Sequence, residues 1–349
     1  MLLALVALAA CKTSERGSSL ASDEPATSCA PLEEVAPPAW PHAGGSLTSW
    51  LEARPHAGPQ SEAKILLQES RRNGLQTALD LLWSERWGEA RATARDAGYE
   101  VTLLEQNRAT FVLIATPGPG GIDATLILNL APRADLVVEV PHPDFEPGTS
   151  AEGADLLLRA GGRALIQAGA HRCASTGASA CGGKTAVCTA DGVAIPYADS
   201  DAGHNAGNAF DVFHRGLAER WPKAKFVQLH GMRAGETWVI LSDGGKANRP
   251  GSPAWPEAVR DALRPVLGAD VKAVSCQDPV DAARFNHRRL CGTDNTQGRF
   301  VNLSPDACSI VAPVATGRFL HIEQTFDVLG GERPGGAVVD AIISTLPGC

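Results

Sequence analysis

Apolar and polar positions along this chain predict helices and strands that alternate from residue 61 onward. Helical spacing covers residues 61–99, with an interruption at Gly74, and short β-branched runs follow it. The predicted strands are 100–104, 110–116, 125–129, 136–140, 163–168, 225–229, 237–241, 271–275 and 318–323. Further helices are predicted after Gly148 and over 208–221, 255–267 and 336–346. The alternation predicts a single α/β domain with a mixed, largely parallel sheet flanked by helices.

The segment after the fourth predicted strand carries the strongest functional signal. This strand ends at Pro141-His142, and Glu146 follows four positions later. Thr149 and Glu152 have the T-x-x-E spacing of a capping box, which places a helix start just after Gly148. His142 and Glu146 therefore lie on a short loop at the carboxyl end of a strand, where α/β sheets bind ligands.

Other strands also end in residues that can do chemistry. His171, His230 and Asp243 each follow a predicted strand. His321 and Glu323 are two apart within one strand, so their side chains share a face. A carboxylate buried inside an apolar strand costs free energy unless it is paired or has a function, which makes Glu323 a candidate functional residue. The alternative is that Glu323 lies on an edge strand and faces water.

Two histidines and one glutamate are a ligand set that catalytic zinc uses, with one position left open for water. The sequence therefore predicts one Zn²⁺ held by His142, Glu146 and His230. Bound zinc lowers the pKa of its water and polarises a carbonyl. Glu323 is the candidate general base.

The sequence from His142 through Glu146-Pro147-Gly148-Thr149-Ser150 resembles the H…E-P-G-T-S segment of bacterial poly-γ-glutamate hydrolases, which are similar to the zinc carboxypeptidase fold. The wider family has an early His/Glu pair, a later His after a strand and a Glu on a late strand before a terminal helix. The resemblance implies metal ligands at His142, Glu146 and His230 and a general base at Glu323. The gap here is H-x-x-x-E, which differs from the H-x-x-E of the carboxypeptidases.

Two polar segments supply further candidates. Arg299 and Asn295 lie in a loop near Cys291 and superficially resemble the Asn-Arg substrate pair of carboxypeptidases, with a solvated surface turn as the alternative. His171 is a third candidate for substrate binding. Asp201 and His204, with Asp199 and His214 close by in the sequence, form a possible second metal or acid/base cluster, although Asp201 also suits a turn or cap.

The N-terminus and the cysteines predict export. Residues 1–10 are apolar and end in Leu8-Ala9-Ala10-Cys11, which resembles a bacterial lipobox with Cys11 as the lipidated residue, although no basic n-region precedes it. Residues 11–45 are interpreted as a flexible tether, and residues 46–349 as the domain. Removing Cys11 from nine cysteines leaves eight, an even number that favours disulfides. Proximity in sequence favours one disulfide within the group Cys173, Cys181 and Cys188 and one within the group Cys276, Cys291 and Cys308. One cysteine of each group then remains to be paired, together with Cys29 and Cys349.

These observations favour a lipid-anchored zinc hydrolase of amide or peptide bonds, acting on a peptide, a γ-glutamyl chain or cell-wall peptide. The predicted location is the bacterial cell envelope, at the outer membrane or periplasmic face. One alternative is a non-catalytic envelope lipoprotein that uses a hydrolase-like fold for binding. A weaker alternative is a phosphoesterase that uses His171, Asp201 and His204. A net charge of −8 and the absence of a dense basic stripe argue against a nucleic-acid partner.

Overall fold

A computed structural model describes residues 39–54, 56–118, 122–246, 255–268, 272–284, 290–331 and 336–347. The predicted lipobox, most of the tether, Cys29 and Cys349 lie outside these residues. Trp40 is buried in the core, and His42 bridges to Leu103, so packed structure begins before the boundary predicted at residue 46. No helix within the described ranges combines the length and the apolar character needed to cross a bilayer.

Ten α-helices, one short 3₁₀-helix (Ala202–His204) and eleven strands are described. The helices are α1 (Leu47–Glu52), α2 (Glu69–Trp83), α3 (Trp87–Asp96), α4 (Thr149–Ala160), α5 (Ala209–Arg220), α6 (Trp255–Leu267), α7 (Pro279–Arg284), α8 (Thr296–Val301), α9 (Phe326–Leu329) and α10 (Ala337–Thr345). The strands are β1 (Glu100–Gln106), β2 (Ala109–Ala115), β3 (Thr125–Asn129), β4 (Leu136–Val140), β5 (Ala164–Gln167), β6 (Lys184–Thr185), β7 (Ile195–Pro196), β8 (Lys225–Met232), β9 (Val239–Ser242), β10 (Ala273–Ser275) and β11 (Phe319–Thr325).

Nine of the described strands form one mixed sheet in the order β1-β2-β3-β5-β4-β8-β11-β9-β10. The central strands β5, β4, β8 and β11 are parallel, and β9 and β10 are parallel to each other. Antiparallel pairs join β1, β2, β3 and β5 and connect β11 to β9. The predicted α/β domain with a mixed sheet flanked by helices is confirmed.

The sheet separates two apolar cores because its strands alternate side chains between the two faces. One core packs α2, α3 and α5 against the sheet and includes Leu79, Tyr99 and Phe213. The other packs α4, α6 and α10 against the opposite face and includes Leu156 and Val259. Central strands covered on both faces position the polar residues discussed below inside the protein rather than on its surface.

Two local predictions were wrong. The helical segment 61–99 is broken after Trp83 rather than at Gly74, because Glu85 adopts a left-handed φ of 58° between α2 and α3. Gly74 lies inside α2, where a Cβ would be 3.3 Å from that of Ala97.

The second error concerns the start of α4, which does begin just after Gly148 but without a capping box. Gly148 is the N-cap with a φ of 100°, and no side chain caps the helix. The Thr149 hydroxyl donates to the carbonyl of Glu146 at 2.8 Å, and the Glu152 carboxylate accepts from the amide of Gln324 at 2.6 Å. Both side chains are therefore engaged elsewhere.

Three disulfides join described residues. Cys173–Cys188 and Cys276–Cys291 form within the two sequence groups, as proximity favoured. Cys181–Cys308 joins one remaining cysteine of each group. Disulfides persist in oxidising compartments, so these bonds indicate an extracellular or periplasmic protein.

Candidate metal centre

Polar side chains line one face of the three central strands β4, β8 and β11. On β8, Gln228 and His230 alternate with the apolar Val227 and Leu229, which face the opposite core. Backbone pairing places Glu323 of β11 beside His230. Alternation within each strand and parallel register between strands therefore bring residues far apart in sequence onto one buried face.

The loop after β4 brings His142 and Glu146 to this face. The backbone N–H of Glu146 donates to the carbonyl of His142 at 2.8 Å, which closes a tight turn. Gly231 on β8 permits the close approach, because a Cβ there would lie 3.2 Å from that of Glu146 and 2.7 Å from the Phe326 ring. The sequence pair His230-Gly231 thus supplies both an imidazole and the space beside it.

His142, Glu146 and His230 converge as predicted, with one potential ligand atom from each lying within 4.8 Å of the others. His142 Nδ1 is 3.0 Å from Glu146 Oε1, and His230 Nδ1 is 3.2 Å from Glu146 Oε2. Their side chains are at most 3% exposed. Glu146 Oε2 has no hydrogen-bond partner, although it is buried.

Outer contacts determine which nitrogens carry protons. His142 Nε2 lies 2.9 Å from the Asp201 carboxylate, and His230 Nε2 lies 2.8 Å from the Gln228 amide oxygen. A carboxylate and an amide oxygen only accept, so both Nε2 atoms donate. In the neutral imidazoles, the Nδ1 lone pairs then face Glu146, which is also an acceptor. In this protonation state three acceptors converge, with Arg172 Nη1 3.4 Å from two of them, and such a group of acceptors suits a cation.

A second group, His142, Asp201 and His204, also places potential ligand atoms within 4.8 Å of one another. Its contacts are of a different kind. Asp201 Oδ1 accepts from His142 and also from His204 Nδ1 at 2.8 Å, and Asp201 Oδ2 accepts from two nitrogens of Arg172 at 2.7 and 3.0 Å. Protons and a guanidinium therefore already satisfy Asp201, and we interpret this group as support for the first one.

Local charges shift the pKa values of these groups in different directions. Burial lowers the pKa of His230 to about 3, so this imidazole is neutral at pH 7. Burial would raise the pKa of Glu146, but the neighbouring His142 and His230 outweigh it and hold that pKa well below its usual range. Burial and Arg172 would lower the pKa of His142, yet Glu146 and Asp201 outweigh them and raise it. Glu146 is therefore ionised and available as an anionic ligand.

Glu323 shares a cavity of about 120 Å³ with His142, His230 and Arg172. Its Oε1 lies 3.3 Å from Nε2 of His321, the other histidine of β11. Burial raises the pKa of Glu323, with His321 opposing the shift. The carboxylate thus faces the same space as the candidate ligands, rather than water at a sheet edge.

Other predicted residues occupy different positions. The guanidinium of Arg299, which is 2% exposed, donates to the carbonyls of Thr293 and Cys308 and to Asp294, so it is not free to hold a substrate carboxylate. The predicted substrate contact of Asn295 is likewise not available, because Asn295 caps α8.

The remaining candidate residues serve local contacts. His171 Nδ1 accepts from the backbone of Cys173 at 3.0 Å, and His171 belongs to neither ligand group among the described residues. The set proposed for a phosphoesterase therefore does not assemble. His214 pairs with Glu139 beneath the site, and Asp243 accepts from the backbone of Gly245 in its own turn.

Sequence reasoning missed Arg172 and Gln228. Arg172 Nη1 is 3.4 Å from both His142 Nδ1 and Glu146 Oε1, and its position directly after His171 at a strand end was a usable signal. Gln228 sits two positions before His230 on the same face of β8, so strand periodicity identifies it once His230 is assigned a role.

No protein-family model matches this chain, and no curated protein does. Among solved structures, the chain matches a crystal structure named "Putative carboxypeptidase A" from Shewanella denitrificans OS-217, at 10% sequence identity and a TM-score of 0.30. The match covers 77% of this chain and 66% of that one. At this TM-score the likeness carries no argument about the site.

Proposed function

We propose that this protein is a zinc-dependent hydrolase of amide bonds, with the metal held by His142, Glu146 and His230. The observation that carries the proposal is the contact between His230 Nδ1 and Glu146 Oε2, two buried acceptors 3.2 Å apart. Lone pairs held this close repel each other unless a proton or a metal cation lies between them. Two imidazoles and one carboxylate are a donor set suited to catalytic zinc.

When bound, zinc would polarise a substrate carbonyl and acidify a water molecule. The protein would supply the remaining functions. Glu323 faces the cavity and would accept a proton from the attacking water, and then return it to the leaving nitrogen. Arg172 would stabilise negative charge that develops on the carbonyl oxygen, because its Nη1 points toward the ligand group.

The proposed substrate is a peptide, a γ-glutamyl chain or a cell-wall peptide, consistent with the export that the disulfides indicate. Lipidation at Cys11 would hold the enzyme at the cell envelope. A cavity of this small size admits the residue at the cleaved bond, while the rest of a chain extends outside.

Metal content tests the ligand assignment directly. Purified protein loaded with zinc and then dialysed is expected to retain about one zinc ion per chain by elemental analysis. His142→Ala and His230→Ala are expected to lose the ion. His171→Ala is the matched control, since it removes a nearby imidazole outside both ligand groups, and it is expected to keep the ion.

Glu323→Gln separates metal binding from chemistry. We expect this variant to retain zinc and to hydrolyse peptide or γ-glutamyl substrates at least ~100-fold more slowly, the contribution of a general base. A folded wild-type protein that binds no zinc would reject the proposal and favour the non-catalytic binding lipoprotein.

A further inference from the structure

Beneath the candidate ligands, a buried chain of hydrogen bonds runs along one face of the sheet, from α5 through β4 to β8 and His230. His214 of α5 contacts Glu139 Oε1 of β4 at 2.5 Å, and Glu139 Oε2 accepts from Gln228 Nε2 of β8 at 3.1 Å. The other end of the Gln228 amide, Oε1, faces His230 Nε2 at 2.8 Å. His214, Glu139 and Gln228 are completely buried, so water does not compete for these contacts.

Neighbouring groups permit only one orientation of the Gln228 amide. The Glu139 carboxylate contacts His214 through Oε1 and accepts from Gln228 through Oε2, so the amide presents its NH₂ group to this carboxylate. On the opposite side, Asn295 Oδ1 accepts from the backbone of Gln297 and Gly298 as the cap of α8, which forces Asn295 Nδ2 to donate to Gln228 Oε1. Both neighbours therefore direct Oε1 toward His230.

An acceptor at this position determines the tautomer of His230. Because Gln228 Oε1 can only accept, His230 Nε2 must carry the proton, and Nδ1 keeps its lone pair toward Glu146. We propose that Gln228 is a positioning residue that, with its amide oriented by Glu139 and Asn295, fixes His230 in the Nε2–H tautomer and so prepares Nδ1 as a metal ligand. The metal-binding part of this inference rests on the proposed function, whereas the tautomer itself does not.

The tautomer is measurable in the metal-free protein by long-range ¹H–¹⁵N NMR of histidine-labelled chain, with His230 assigned from a His230→Ala sample. We expect wild type to show the Nε2–H form of His230. Finding the Nδ1–H form in wild type would overturn the proposal, whether or not zinc binds.

Gln228→Met removes the acceptor at nearly constant volume. We expect mixed His230 tautomers and a zinc affinity 10- to 100-fold weaker in chelator competition, the usual effect of losing such an outer contact. Gln324→Met is the matched control, because Gln324 is an equally buried glutamine of the adjacent strand that contacts Glu152 instead. It is expected to leave the tautomer and the affinity unchanged.

Glu139→Gln provides a second test, because a residue with only a structural role would not change the tautomer of His230. If His214 still donates to Oε1 of the amide introduced at position 139, the NH₂ group of this new amide faces Gln228. Two NH₂ groups that face each other favour reversal of the Gln228 amide. His230 is then expected to shift toward the Nδ1–H form. Unchanged tautomer in both variants, with wild-type zinc affinity, would overturn the proposal. Absence of zinc binding in wild type, with the tautomers behaving as expected, would instead reject only the proposed function.

Discussion

Asp201 illustrates how a single side chain can organise the site without being one of the proposed ligands. One oxygen accepts from two histidines, while the other receives a two-pronged contact from Arg172. The side chains of Asp201 and Arg172 are 1% and 9% exposed. Asp201 is therefore the principal counter-charge of the Arg172 guanidinium, with Glu146 farther away at 3.4 Å.

We expect Asp201→Asn to lower the free energy of unfolding by about 3 kcal/mol, because it leaves a buried guanidinium without its principal counter-charge. Urea unfolding at pH 7 measures the loss. Glu89→Gln is the control, since it breaks an exposed pair with Arg86, and it should change stability little. Similar effects of the two substitutions would show that Asp201 has no special role in stability.

Some side chains of the candidate site could be predicted from the sequence, and others could not. His142, Glu146, His230 and Glu323 could be proposed as candidates because strand ends and strand periodicity are visible in the sequence. The contacts of Asp201 and Gln228 could not be predicted, since they depend on which strands and loops become neighbours. The contacts of Arg299 could not be predicted for the same reason, because nothing in the sequence shows that its guanidinium donates to the carbonyls of Thr293 and Cys308.

Among the elements, α4 carries a half-buried acid, Glu152, on the face of the sheet opposite the site. Burial raises the pKa of the Glu152 carboxyl to about 7, while the hydrogen bond from Gln324 opposes the shift. The folded chain therefore retains a proton that the unfolded chain releases from about pH 4.5 upward. Its contribution to stability is full below that pH and is lost as pH rises through 7.

Glu152→Gln removes this titration while keeping an acceptor for Gln324. We expect the free energy of unfolding of the variant, relative to that of wild type, to rise by about 2 kcal/mol from pH 4.5 to pH 8.5. This value is smaller than the full pKa shift would give, because the residue is only partly buried. Denaturant unfolding at the two pH values measures the difference. Glu69→Gln at the exposed start of α2 is the control, and equal profiles for wild type and Glu152→Gln would contradict the prediction.

Most elements were predictable because their periodicity is strong. The structure reproduces β3, β4 and α6 with the predicted bounds, and the other long strands differ by a few residues. The short helices α1, α7, α8 and α9 were missed, since four to six residues hold too little periodicity to identify a helix. The capping-box error shows that a motif of two residues is weaker than the tertiary contacts that compete for its side chains.

Across the whole molecule, the disulfides constrain loops of very different length. Cys173–Cys188 and Cys276–Cys291 each span 15 positions, whereas Cys181–Cys308 spans 127. In the chain-entropy description, a bond stabilises the fold more when it closes a longer loop in the unfolded state.

We expect replacing both cysteines by serine to cost about 3 kcal/mol for each short loop and about 5 kcal/mol for the long one. Guanidinium unfolding of the three double variants under non-reducing conditions provides the measurement. The two short-loop variants serve as controls for each other. Equal losses for all three bonds would show that local strain or packing, rather than loop length, determines their contribution.

The position of β11 in the sheet has a consequence for biosynthesis. This strand follows β10 in sequence, yet it lies between β8 and β9 in the sheet and carries Glu323. The ribosome must therefore synthesise the chain through β11 before β9 and β10 can join the rest of the sheet. Pairings this distant in sequence form slowly. The candidate site can thus be completed only after β11 has been synthesised, and a nascent chain that stops before residue 319 lacks both the candidate general base and the strand that joins the two parts of the sheet.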